Sequence, residues 1–353
     1  MSWAALILAG SAAIAQEKDA IRIDAAPDKP AAADTTHVWT AALPAVWNQV
    51  SSGLGGGRIV FAKPRPLADS LNVFIDKDWK PVLPPRHLLL AGEATPEFCQ
   101  NAGAKLREMF PGDEGIPALS PIKLGYAVVC ALNETLVFEP HFYRARRTTL
   151  PFQTGSGKTV PVQYFGTTPE LAGEFAGTTT VLRYEAGKSC VLALKTKDPD
   201  QEVVLAKGLP AKTVTEVVDA VRPLRNPATP DCLRDGDTLK VPLLSLTSLD
   251  SYASSLDGDF TVAGKGFPWR FVYVWQWVKF DLDEKGARVK VVAAAGGEPF
   301  CVPSAPPKPK PPRFFLYDRP FFVLIWRKDA DWPYFAAWID GKAALQEKPS
   351  ETK

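Results

Sequence analysis

The run Phe271 to Leu282 constrains the fold more than any other stretch of this chain. Its even positions, Val272, Val274, Gln276, Val278, Phe280 and Leu282, are apolar except for Gln276, and its odd positions open with Phe271, Tyr273, Trp275 and Trp277. A period of two is the signature of a strand, because successive side chains leave a pleated backbone on opposite faces. One face is aliphatic and the other aromatic, so neither suits water and both must be covered by packing layers. A long, buried strand follows from that. Gln276, the lone polar residue on the aliphatic face, must be hydrogen-bonded if it is buried.

Three helical segments are expected. Thr95 can cap a helix with Pro96 at its first position, Glu97 at the positive end of the dipole, and Phe98, Ala102, Leu106 and Phe110 on one face before Pro111-Gly112. From Thr213, the residues Val214, Val217, Val218 and Val221 fall at helical spacing and end before Pro223. A third helix is predicted over His37 to Val50, kinked at Pro44. Most of the remainder reads as strand: a hairpin over Thr178 to Leu194 around Glu185-Ala186-Gly187-Lys188, one long strand over Arg313 to Arg327, and a last strand over Tyr334 to Ile339. The 33 prolines, roughly 9% against a typical ~5%, punctuate these runs with turns and edges.

With 46% hydrophobic residues the chain is folded, and no repeat or Gly/Ser spacer divides it. A single domain over 37–345 is expected, preceded by a flexible leader (16–36) and followed by a disordered tail (346–353). Ahead of these, Trp3 to Gly10 is apolar and Ala13-Ile14-Ala15 is a small-x-small cleavage pattern, so residues 1–15 read as a signal peptide and Gln16 as the mature start, with a secreted or periplasmic destination. The alternative for this segment is an N-terminal helix. No later run reaches the roughly 18 to 20 apolar residues of a membrane span. A net charge of +2, from 41 basic and 39 acidic side chains, gives no field that would select nucleic acid. Cys99, Cys130, Cys190, Cys232 and Cys301 include no C-x-x-C pair, and His37, His87 and His141 have no ligand spacing, so neither a metal nor another cofactor is expected. One or two disulfides can form after export, and an odd count leaves at least one thiol over.

Gly155-Ser156-Gly157-Lys158-Thr159 resembles the end of a phosphate loop, yet position 152 is Phe where that loop needs Gly, and Thr159-Val160-Pro161-Val162 reads as strand. A hairpin turn is the better reading. No G-x-S-x-G, H-E-x-x-H or G-x-G-x-x-G is present, so no enzyme is indicated. Val302 to Pro312 holds six prolines with Lys308 and Lys310 among them. Such a stretch is extended and solvated, and between two strong strands it reads as a displayed loop.

The C-terminal third, read as one unit, resembles the serpins. Their order of long strand, acidic-Glu-x-Gly hinge, small-residue run, reactive loop, Asp-Arg-Pro-Phe strand and short final strand has counterparts here. These are Phe271 to Leu282, Asp283-Glu284-Lys285-Gly286, Ala293-Ala294-Ala295, the loop to Pro312, Asp318-Arg319-Pro320-Phe321, and Tyr334 to Ile339. Val128 to Phe142, Leu150-Pro151-Phe152, Val160-Pro161-Val162 and Leu239 to Leu244 are similar to further serpin strands, and Arg58 to Phe61 with Pro64 to the shutter segment. The resemblance implies an α+β body, mixed and multi-sheet, with a central β-sheet, a second β-barrel-like sheet region, reduced helices and an exposed C-terminal reactive loop over 287–317. The chain before Val128 is short for that family, so the helix that crosses the central sheet is expected to be absent or shrunken.

The same resemblance implies a monomeric suicide-substrate inhibitor of a chymotrypsin-like serine or cysteine endopeptidase. It places the reactive bond at Phe300-Cys301, the hinge at Glu284, Gly286, Ala287, Val289 and Val291, and shutter-like positions at Cys130 and Gln276. Ala287, Val289 and Val291 would point inward and Arg288 and Lys290 outward, a pattern compatible with a strand. Against this, Ala287-Arg288-Val289-Lys290 is bulkier than the family's small hinge residues. The alternative is a non-inhibitory binding scaffold whose Pro-Lys loop docks a partner.

Overall fold

The computed structural model describes residues 21–347 apart from 124, 226, 228, 264 and 290–310. The N-terminal fifteen residues, Gln16, Val291, Ala293-Ala294-Ala295, Phe300, Cys301 and most of the Pro-rich stretch therefore lie outside the described residues. The largest sheet has eight strands in the order Ile21–Ile23, Thr36–Thr40, Phe335–Ile339, Phe321–Arg327, Gln201–Lys207, Ser189–Lys195, Thr179–Glu185 and Asp231–Cys232. Its middle strands carry Val203, Val204 and Leu205 against Val323, Leu324 and Ile325, all buried, so both of its faces are covered. A four-stranded sheet joins Phe314–Leu316, Thr238–Pro242, Tyr164–Thr167 and Tyr143–Arg144. A second four-stranded sheet, in the order Leu244–Ser251, Trp275–Asp283, Gly286–Val289 and Glu134–Val137, lies over the large one. Phe280 stacks on Phe335 across that interface, with ring centroids 4.5 Å apart.

The helices are α1 (Ala42–Gly53), α2 (Pro66–Asn72), α3 (Pro96–Met109) and α4 (Val214–Val221). Two of them start where their caps demand: the Thr95 hydroxyl accepts from the Phe98 N–H, and Thr213 and Glu216 form a reciprocal capping box. In α4, Val214, Val217, Val218 and Val221 are all buried.

Several expectations need correction. The helix predicted from His37 begins only at Ala42, because Thr36–Thr40 pairs with Phe335–Ile339 as a strand. Pro44 then falls in the first turn, where its missing N–H is not needed, and no kink is required. The long strand begins at Trp275 rather than Phe271, and Val272 is 62% exposed. Arg313 to Arg327 is two strands in different sheets, Phe314–Leu316 and Phe321–Arg327, separated at Asp318-Arg319-Pro320, since Pro320 cannot donate to a ladder. The leader expected over 16–36 is replaced, from Ile21 onward, by ordered chain: Ile21–Ile23 pairs in parallel with Thr36–Thr40, and Asp24, Ala25 and Asp34 are buried. Side-chain partners hold it, because Asp24 accepts from His37 Nδ1 at 2.7 Å. At the other end Glu347 bridges to Val162, so the tail is engaged through that residue.

The Gly155–Lys158 segment is a hairpin turn between Leu150–Gln153 and Thr159–Val162. Its backbone donors are already taken: Gly155 N–H donates to Asp340 at 2.5 Å and Ser156 N–H to Asp34 at 3.1 Å. Burial pushes the Asp340 carboxyl above its usual range, while hydrogen bonds from Ser156 and Thr154 hold Asp34 below it. An internal carboxylate pair fills the place a phosphate would take. Between Met109 and Tyr126 the described residues form no helix; Ile116 and Leu119 from this segment pack with Phe110 and Trp277 instead.

Candidate functional site

Gly286–Val289 is a strand, so this part of the predicted loop is already in a sheet. It lies between two others, pairing Asp283↔Gly286, Leu282↔Ala287 and Asp281↔Arg288 on one side and Val137↔Gly286, Leu136↔Ala287, Thr135↔Arg288 and Glu134↔Val289 on the other. Alternation sets the faces: Ala287 is fully buried beside Leu282 and Leu136, whereas Arg288 is exposed and pairs with Asp283 at 3.0 Å. The turn that delivers the strand is tied by the Asp283 carboxylate, which accepts from Lys285 N–H at 2.8 Å and Gly286 N–H at 3.2 Å. Glu284 faces Arg144 at 3.8 Å, and its backbone carbonyl accepts from Phe142 N–H. Gly286 is required by space: a Cβ there would overlap the Leu136 carbonyl oxygen. The bulky-looking hinge thus fits the sheet at Ala287 and Arg288.

Beyond Val289 the sheet divides. Tyr126–Leu132 pairs with His87–Glu93 along one edge, and Trp275–Asp283 pairs with Leu244–Ser251 along one edge. Among the described residues Tyr126–Leu132 has no partner on its second edge, and Trp275–Asp283 has one there only over Asp281 to Asp283. Between the two edges runs a cavity of about 190 Å³, lined by both strands, by α1 and by Phe110, Ile116 and Leu119. Phe110 and Trp277 close one side of it in an edge-to-face pair 5.7 Å apart. Two facing, unpaired strand edges with a third strand in their mouth make a slot that accepts one more strand, because buried backbone donors and acceptors need partners.

Gln276 and Cys130 stand on opposite walls of this slot, and no hydrogen bond between them is present among the described residues. Gln276 is 7% exposed, as its isolation on an apolar face predicted. Its Nε2 donates to the Thr40 hydroxyl at 2.5 Å and its Oε1 accepts weakly, at 3.5 Å, from Tyr252, whose hydroxyl is better placed on the Ile23 carbonyl at 2.9 Å. Burial pushes the Cys130 thiol up to about 12, which keeps it protonated and a poor nucleophile. Cys99, Cys130 and Cys190 are free thiols. On the strand beside the hinge, at the position that pairs with Val289, Glu134 is buried, accepting from Arg86 N–H at 3.2 Å and weakly from Gln201, which in turn accepts from Tyr334 at 2.7 Å. Burial pushes the Glu134 carboxyl up, opposed by those hydrogen bonds and reinforced by nearby Asp198.

Sequence reasoning missed the far end of the loop. Arg313, immediately after Pro311-Pro312, is 6% exposed and its guanidinium meets Asp237 at 2.8 Å, Asp231 at 2.5 Å and the Cys232 carbonyl at 2.6 Å. Its backbone N–H also donates to Asp237, and Lys207 reaches both the Leu316 carbonyl and Asp318. The available signal was a single Arg directly after a proline run, and nothing in its spacing pointed to Asp237.

No protein-family model matches this sequence, and no curated protein matches it. Solved structures do. Native protease nexin-1 with heparin aligns with a TM-score of 0.50 at 11% identity, covering 86% of this chain and 92% of that one. Thyroxine-binding globulin in complex with thyroxine aligns with a TM-score of 0.50 at 13% identity, covering 87% and 93%. A thermophilic serpin, tengpin, in the native state aligns at 0.47 and 9% identity over 85% and 87%. These neighbours are serpins, and the likeness extends over most of each chain. With its divided sheet and hinge strand, and with no helix between Met109 and Tyr126 among the described residues, the chain has a divergent serpin fold.

Proposed function

We propose that this protein inhibits a chymotrypsin-like serine or cysteine endopeptidase by presenting Phe300-Cys301 as a substrate and then inserting the loop into its own split sheet. The observation that carries this reading is the slot between Tyr126–Leu132 and Trp275–Asp283, with Gly286–Val289 already paired on both sides at its mouth. Continued in the same register, Val291 would fall between Val278 and Leu132, and Ala293 between Gln276 and Cys130. The small run Ala293-Ala294-Ala295-Gly296-Gly297 would thus meet the narrow middle of the slot, which gives Cys130 and Gln276 their shutter-like role. In the chemical step the protease nucleophile adds to the Phe300 carbonyl carbon, the Phe300–Cys301 bond breaks, and the proton goes to the departing Cys301 amine. Insertion then competes with hydrolysis of the acyl-enzyme. Its driving force is a new set of ladder hydrogen bonds and the burial of Val291, about 1.5–3 kcal/mol for one such side chain. The setting is outside the cytoplasm, as the N-terminal leader pattern suggests.

The test is digestion of the native protein with chymotrypsin, with the cut mapped and the melting temperature measured before and after. The expected outcome is cleavage after Phe300, a large rise in melting temperature, and a protease complex that survives denaturing electrophoresis. Cleavage with no rise and no complex would leave a binding scaffold whose Pro-Lys loop docks a partner.

A further inference from the structure

A different strand edge lies open on the far side of Tyr126–Leu132 from the slot. His87–Glu93 pairs with Tyr126–Leu132 in a continuous register, and its second edge meets no other strand among the described residues. The ladder decides which residues face that edge. Asn133 N–H donates to the Arg86 carbonyl and Ala94 N–H to the Gly125 carbonyl, so Arg86 and Ala94 are hydrogen-bonded positions, and by alternation so are Leu88, Leu90 and Gly92. The backbone N–H and C=O groups of His87, Leu89, Ala91 and Glu93 therefore point outward. Among the described residues only the Glu93 carbonyl has a backbone partner there, the Thr95 N–H. The strand lacks the features that usually protect an edge: it reads His-Leu-Leu-Leu-Ala-Gly-Glu, with no Pro, no Lys and no bulge. A hollow of about 480 Å³ lies beside it, lined by Gln49, Lys80, His87, Leu88, Leu89 and Ala91. The strand also fits itself. When two copies are set antiparallel about a two-fold axis at Leu90, Leu89 of one faces Ala91 of the other, Leu88 faces Gly92, and His87, with Arg86 beside it, faces Glu93. Large then meets small, base meets acid at both ends, and the outward-facing residues pair with one another. Moving the axis to Leu89 sets Leu88 against Leu90, and moving it to Ala91 sets Leu89 against Glu93. From the open edge and this self-complementary register, we propose that His87–Glu93 is a self-docking edge through which two copies of the chain form an isologous dimer, in place of the monomer that the family resemblance implies. The dimer joins two sheets edge to edge and is independent of loop insertion.

Sedimentation equilibrium of the full, uncut chain over the micromolar range tests this, with a monomer–dimer equilibrium as the expected result. Ala91→Pro removes an outward N–H and leaves the bonds to Tyr126–Leu132 in place, so it should weaken the dimer at least about tenfold while the dilute monomer keeps its melting temperature. Should Ala91→Pro fail to fold, Ala91→Lys puts a charge on the same edge without touching the backbone and should weaken the dimer likewise. The register has its own test. Glu93→Lys sets like charges against His87 and Arg86 and should weaken the dimer, and adding His87→Glu to the same chain should restore it. Hydrogen exchange at Leu89 and Ala91 should slow as protein concentration rises. A chain that stays monomeric, or a dimer that Ala91→Pro and Ala91→Lys leave unchanged, overturns the proposal. Assemblies that keep growing with concentration overturn the two-fold pairing. Amides of Leu89 and Ala91 that are equally protected at every concentration would mean that another segment of the same chain covers the edge, which also overturns it.

Discussion

The two segments that flank residues 290–310 are held in opposite ways. At the near end, Gly286–Val289 is fixed by strand pairing and by one carboxylate, Asp283, that ties the turn before it. At the far end, Phe314–Leu316 pairs in parallel with Thr238–Pro242 and is anchored besides by buried charge, with Arg313 set between Asp237 and Asp231 and Lys207 reaching Leu316 and Asp318. Pairing can be extended one residue at a time, whereas a buried ion pair is either intact or broken, because removing one partner strands the other away from water. The difference teaches how a loop can be free to zip at one end only. On the proposed insertion, residues entering the slot would lengthen an existing ladder, while those leaving the far strand would first have to expose Asp237 and Arg313.

The largest effect should come from breaking the far anchor. Asp237→Ala leaves the Arg313 guanidinium buried with Asp231 and a single carbonyl, and removes the acceptor of the Arg313 and Arg234 backbone N–H groups. A loss of about 3–5 kcal/mol is expected from a broken buried pair. Chemical denaturation would measure it, and hydrogen exchange should show Phe314–Leu316 losing protection while Gly286–Val289 keeps it. A loss below about 1 kcal/mol would mean that the far end is held by its strand pairing alone.

The near end should yield with a smaller loss. Gly286→Val puts a side chain into the Leu136 carbonyl, so the hinge strand must leave the sheet or the sheet must shift, at a cost of about 1–3 kcal/mol. Exchange protection at Ala287 and Arg288 should then fall to that of an exposed loop, with Thr238–Pro242 unaffected. If those amides stay protected, the strand is held by something other than the close approach at Gly286.

The near end was far more legible in the sequence than the far end. Period-two alternation makes Ala287 and Arg288 face opposite ways wherever they pair, and the apolar face around Gln276 requires that residue to be buried with partners; both follow from local pattern. Its partners, Thr40 and Tyr252, lie more than two hundred residues and twenty-four residues away, and no spacing rule connects them. The same holds for Arg313, whose acceptors are reached only after the chain has crossed between sheets. The strand over Thr36–Thr40 was misread as helix because its side chains are buried throughout and so show no alternation, a pattern that only its pairing with Phe335–Ile339 explains. The open slot itself has no sequence signature, since it is a pairing that is not made.

The smallest expected effect concerns pH at the near end. Glu134 is the residue that pairs with Val289, and the groups around it are Asp198, the Arg86 backbone and side chain, Gln201, Tyr334 and, beyond Tyr334, Arg327. Burial raises its pKa in the folded protein above the unfolded value, so the native state holds the proton more tightly. Between the two values the native state therefore binds more protons, and stability falls as pH rises. The contribution is complete below the usual carboxylate range and is lost once pH has passed through the raised folded value. Asp340 shifts in the same direction, again by burial, so the wild-type profile alone cannot assign the slope. Glu134→Gln keeps the acceptor for Arg86 N–H and removes the ionisation, and the difference between the two proteins isolates this group. The variant should match wild type in acid and exceed it modestly near neutrality, with the gain appearing as pH rises above the usual carboxylate range. The same variant should protect Ala287 and Arg288 better at neutral pH, because a neutral side chain on the strand beside the hinge no longer draws water towards the top of the slot. A stability difference of equal size at every pH would show that Gln acts there through packing, and that ionisation of Glu134 has no part in holding the near end.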